Sequence, residues 1–171
     1  MAARASSAPE SHPGVAGAGQ LVLLASWIGA SAFFAAVVAP AAFDVLPTRE
    51  DAGALVGRAL PAIFVAGIAV GFLVFALEFV GRRRSWMLAR SIAVATAAVA
   101  CAVAQLGIAP RITELRGQLS GPLASLALAD PQRVEFGRLH VMSVAALGIA
   151  ILASFIALVL AALTLRSRGA R

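Results

Sequence analysis

The side chains able to do acid–base or ion-binding chemistry are few here, and the ones that stand out are Glu78, His140 and the arginines Arg58 and Arg138. Glu78 closes a run that carries no charge from Arg58 onward. A carboxylate among apolar residues is costly to keep ionised, so it binds a proton or cation, or it pairs with a fixed cation. Arg82 follows four residues later, one helical turn away, and its long stem could carry the charge to a water interface. We expect a structural pair with Arg82 or another arginine near that end, with the proton or cation site as the alternative. Gly67 and Gly71 precede Glu78 by 11 and 7 residues, close to whole turns, so all three share one face. A small-residue face of that kind admits a neighbouring helix, and Glu78 should point at it rather than outward.

His140 has Ser143, Leu147 and Ser154 near its own helical face, a mildly polar stripe. The plain expectation is a histidine at a helix entrance bonding Gln105 or a nearby carboxylate. The sharper one places it in a rim made of Asp44, Arg58, Arg111, Glu114, Arg116, Glu135, Arg138 and His140. Such a rim is either a set of interfacial ion pairs or an anion- or carboxylate-binding vestibule, with Arg58, Arg138 and His140 as its ligand-binding residues. No catalytic residue, metal or cofactor is assigned. The other histidine, His12, falls on the opposite side, so a bis-histidine haem is not supported. Cys101 is the single cysteine, and Met87 and Met142 fall at opposite ends of the bundle, so a copper cluster is not supported.

The elements that must hold these residues are read from where charge is missing. No charged residue occurs between Glu10 and Asp44, Arg58 and Glu78, Arg90 and Arg111, or Arg138 and Arg166. A hydrocarbon core about 30 Å thick needs roughly 20 apolar residues of helix. The four runs meet or nearly meet that length, and 61% hydrophobic against 13% charged residues is far from soluble usage. The fold class is therefore all-α, an integral membrane four-helix bundle. We place the spans at 20–43, 55–80, 86–108 and 139–165, with the third ending at Pro110. Residues 1–19 read as a disordered cytoplasmic tail, 20–166 as the four-span membrane domain, and 167–171 as a basic cytoplasmic tail. Span one is longer than the apolar core of a cleaved signal peptide.

Helix starts are written in the sequence too. Thr48-Arg49-Glu50-Asp51 has a capping residue with an acid at N3, and Asp130-Pro131 sets a cap before a proline at N1. The chain also repeats itself. Val37-Val38-Ala39-Pro40 matches Gly107-Ile108-Ala109-Pro110, and Gly57-Arg58-Ala59-Leu60 matches Gly137-Arg138-Leu139-His140. Matched pieces run the same way across the bilayer, which makes two parallel-repeat helical hairpins.

The formal charge of +6 does not point to nucleic acid. Arg82, Arg83, Arg84 and Arg90 crowd one connection, and Arg166, Arg168 and Arg171 follow the last span, all headgroup positions. By the positive-inside rule this puts both termini in the cytoplasm, in the inner membrane of a cell. The absence of lysine suggests a GC-rich bacterial coding bias. The expected partner is the lipid bilayer, with a homo-oligomer or a larger membrane complex left open.

Pro40-x-x-Phe43 after the helix around Gly29 to Phe34, a short loop, and Ala52-Gly53 leading to Pro61 resemble the first half of the transmembrane protein 205-like family. Pro110-Arg111-Ile112 and Phe136-Gly137-Arg138-Leu139-His140 resemble its second half, so the likeness runs from about Leu21 to Leu165. It implies a four-span membrane protein without an established biochemical activity, and the function we expect is to assist small-molecule tolerance or transport, or to act as an assembly partner. A fainter likeness is to four-span membrane oxygenases such as anthrone oxygenases, which would make His140 a base in a small oxidoreductase. The expectation is a protein without turnover.

Overall fold

Proline's missing N–H decides the shape of the first and third spans. The computed structural model describes residues 13–80, 87–119 and 121–169. In it α1 (Pro13–Phe33) relaxes into a π-helical turn at Phe34–Val38 and resumes as α2 (Ala39–Val45). Likewise α4 (Met87–Ala102) passes through a π-helical turn at Val103–Ile108 into α5 (Ala109–Gly117). Ala39 donates its N–H to the Phe34 carbonyl and Ala109 to that of Ala104, five residues back in both cases. A proline ring clashes with the carbonyl four residues behind it, and a wider turn takes up one extra residue and relieves the clash. Phe34, Ala39 and Pro40 each precede Ala104, Ala109 and Pro110 by 70 residues. The two spans thus carry one device at one register.

That device corrects an expectation. Pro110 does not end the third span, which continues as helix to Gly117. Pro61 lies inside α3 (Arg49–Val80) without interrupting it. The fourth span is α6 (Pro131–Gly169). Both predicted starts form: the Asp51 amide donates to Thr48 Oγ1 at 3.0 Å, and the Gln132 amide to Asp130 Oδ1 at 2.8 Å. Thr48 in turn donates its hydroxyl to Asp51 Oδ2 at 2.7 Å.

The tail boundary also moves. Residues 13–19, read from composition as part of a disordered tail, are the first turns of α1, whereas 1–12 lie outside the described residues. Tertiary contact explains it: a Cβ built on Gly17 would stand 2.6 Å from Leu165, so the start of α1 packs closely on the end of α6. Of the basic tail, 167–169 continue α6, and 170–171 lie outside the described residues.

Four helical stretches, Val15–Val45, Arg49–Glu78, Leu88–Gly117 and Pro131–Ser167, are long and apolar enough to cross a bilayer. They form a ring in which α1 and α4 each pack on both α3 and α6. The core gathers Trp27, Phe64, Cys101, Ala104, Leu147 and Ala150 at one level and Leu24, Val74, Val94 and Ala157 at the next. Phe72, Leu106 and Leu152 are exposed on the outside of the ring, as lipid-facing side chains should be. The chain is a multi-pass integral membrane protein with an all-α four-helix fold.

Candidate functional site

The charged residues of the spans collect at two ends of the bundle, and the α3–α4 contact builds the first. Gly67, Gly71, Val74 and Glu78 recur every three or four residues on α3, and all are buried. A Cβ on Gly67 would fall 2.6 Å from Cys101 Sγ and 2.8 Å from Trp27, and one on Gly71 would fall 2.9 Å from the Ala98 Cβ. Hydrogen in place of methyl therefore lets α3 and α4 close to near backbone contact. The helices run antiparallel, so each step down α3 is answered by an equal step back along α4. Seven residues beyond Gly71, Glu78 arrives opposite Arg90 and Ser91, eight and seven residues before Ala98.

There both carboxylate oxygens are taken. Arg90 Nε donates to Glu78 Oε1 at 2.6 Å and Ser91 Oγ to Oε2 at 2.6 Å. The side chains are 13% and 5% exposed, so this is a buried interhelical pair. The sequence pointed to Arg82, by its one-turn spacing, or to another arginine; Arg82 lies outside the described residues, and the arginine seen on Glu78 is Arg90. Close packing of α4 supplies a partner from another helix, a contact that spacing along one helix cannot reveal. With its charge balanced and both oxygens bonded, Glu78 holds α3 to α4.

The second end is assembled by Arg116, in the last turn of α5. Its Nη2 donates to the Gly53 carbonyl at 3.3 Å, and its guanidinium carbon lies 5.3 Å from the centre of the Phe136 ring. A Cβ on Gly53 or on Gly57 would stand 3.2 Å from the guanidinium nitrogens, so the first turns of α3 form a shallow seat for it. Phe136 stacks on His140, with ring centres 6.4 Å apart and planes 5° from parallel. One arginine thus links the starts of α3 and α6.

The three rim residues named from sequence lie on the two helices that this arginine links. Arg58 follows Gly57 on α3 and is exposed. Arg138 and His140 flank buried Leu139, each about 100° away around the helix, and both are exposed. Arg138 approaches Glu135 at 4.0 Å, with the two side chains 73% and 46% exposed, a loose surface pair. His140 pairs with neither Gln105 nor a carboxylate among the described residues; its neighbour is the Phe136 ring. Sequence reasoning missed Arg116 and Phe136 as the connectors. The one signal for them was Gly53-x-x-x-Gly57, a small-residue spacing at a helix start. Among the described residues no three His, Cys, Asp or Glu side chains cluster as a metal site would require.

The model for a domain of unknown function, DUF4149, matches residues 22–121. No curated protein and no solved structure matches the chain. The matched stretch contains both π-helical turns, the Glu78–Arg90 pair and Arg116, and it ends before α6. With 100 of 171 residues covered, the chain belongs to the DUF4149 family.

Proposed function

We propose that this membrane protein handles small molecules without converting them, taking an anionic solute at its outer mouth in support of tolerance or transport. The observation that carries the reading is the position of Arg116, which touches both Gly57, next to Arg58, and Phe136, one turn before His140. Arg116 of α5 lies over Phe136, whose ring stacks on His140 of α6, and Arg58 of α3 follows the glycine that seats Arg116. An oxyanion would meet the exposed guanidinium donors of Arg58 and, reaching round α6 from about 200° away on its long stem, Arg138, and the flat faces of Phe136 and His140 suit a ring attached to it. The likeness to transmembrane protein 205-like proteins, a group without an established activity, agrees with a role that needs no catalytic residue.

The mouth is assigned to the outer side because Arg82, Arg83, Arg84 and Arg90 crowd the opposite end, which puts both termini in the cytoplasm and the bundle in the inner membrane. In a Cys101→Ala background, a cysteine placed at Ala129 should react with an impermeant thiol reagent added outside, and one at Ser167 should not. The reverse pattern overturns the orientation. For the site, benzoate and inorganic phosphate serve as probes with the full chain in nanodiscs. Binding of either should weaken at least about threefold in Arg58→Ala, Arg116→Ala, Arg138→Ala and His140→Ala. If neither probe binds the unaltered protein, the mouth is not an anion site.

A further inference from the structure

Two polar atoms in the bundle core have no hydrogen-bond partner among the described residues, Ser31 Oγ and Gln105 Oε1. Ser31 is wholly buried on α1, at 0% exposure, and Gln105 lies half-buried in the π-helical turn of the third span. Their level follows from the contacts beneath them. Trp27 and Cys101 both press against Gly67. Ser31 stands four residues beyond Trp27, and Gln105 four beyond Cys101, each about 6 Å nearer the mouth and roughly one turn round. Phe64 is one turn from Gly67 in the same direction and is buried, as is Ser143, one turn beyond Leu147 on α6. One layer therefore sets polar side chains around a phenylalanine.

Ser31 has not taken the easy way out. A helical hydroxyl commonly bonds the carbonyl four residues back, and Thr96 and Thr113 of this chain do so with Ile92 and Ala109. Ser31 leaves its hydroxyl unspent in a medium where an unmet polar group is costly. The group that meets it must be neutral. Among the described residues the one buried carboxylate is Glu78, eleven residues inward from Gly67 and already held by Arg90 and Ser91, so a charged ligand would find no counter-ion here. A glutamine oxygen accepts from any N–H or O–H donor and a serine hydroxyl gives or accepts, and water is the smallest neutral group that serves both.

We propose that Ser31 and Gln105 bind a water molecule in common, making the outer half of the core a hydrated layer while the inner half stays dry. This does not rest on the anion-binding reading of the mouth. A shared water gives each polar group a partner, whereas an unmet group is better removed, so the sign of a substitution separates the cases. In the full-length protein in nanodiscs, Ser31→Ala and Gln105→Met should each lower the melting temperature by about 2–4 °C. The double variant should fall no further than the worse single, because both lose the same water. A single variant that melts at or above the unaltered protein, or a double whose effects add, overturns the proposal. A measurement on the unaltered protein guards against misfolding of the variants. Hydroxyl radicals made from bound water by X-ray pulses should oxidise Phe64 several-fold faster than equally buried Leu24, each scaled to its rate in the unfolded chain. Equal scaled rates overturn the proposal on their own.

Discussion

The two ends of this bundle use the same residue type in opposite ways. At the end that the proposed orientation makes the inner one, Arg90 is largely buried, its Nε held at 2.6 Å by a carboxylate whose other oxygen is held by Ser91. At the mouth Arg116 makes one 3.3 Å bond to a carbonyl and lies 5.3 Å from a ring centre, and Arg138 stands 4.0 Å from Glu135 in the open. Coulomb attraction grows as water is excluded, and so does the penalty for leaving a charge unmatched. The inner arginine is therefore committed to its partner. The outer ones keep donors to spare, as a ligand site requires and a structural joint does not.

The sharpest way to break this comparison is to remove one side of the inner pair. Arg90→Ala leaves a buried carboxylate without its cation and should cost about 3–5 kcal/mol in reversible unfolding, whereas Glu78→Leu combined with Arg90→Leu should come out close to neutral. If Arg90→Ala costs no more than a mouth substitution, the inner end is no better sealed than the outer. Next in size is Gly67→Ala. Its methyl would meet Cys101 and Trp27 at 2.6–2.8 Å, and the overpacking should cost about 1–3 kcal/mol, with Cys101→Ala in the same chain recovering part of it. A Gly67→Ala protein as stable as the parent would mean that α3 and α4 are not in near backbone contact. The smallest effect is expected for Arg116→Ala, no more than about 1 kcal/mol, the scale of an exposed cation over a ring. A larger loss would make the mouth a structural clasp and erase the contrast between the ends.

Much of the candidate chemistry was legible before any fold. That Glu78 shares a face with Gly67 and Gly71 follows from helical period, and the buried face confirms the geometry. Its partner was not legible, because Arg90 is one of several arginines near that end and the choice among them depends on how closely α4 approaches. Arg116 was visible as a rim charge but not as the link to Phe136. Sixty-three residues separate it from Gly53, and nothing local records that distance as contact.

What the sequence alone determined is the part set by one-dimensional rules. Uncharged runs long enough to span, capping residues at Thr48 and Asp130, and a proline recurring 70 residues on all act through the chain's own backbone and through transfer from water to lipid. Tertiary structure decided what depends on the distance between helices. It started α1 at Pro13, against Leu165, instead of at the end of a tail. It carried the third span through Pro110 by widening one turn. It gave Glu78 to Arg90 and left Ser31 without a partner among the described residues. A polar group's cost and its company are set by what lies across the nearest few ångströms, and in a bundle those atoms belong mostly to another helix.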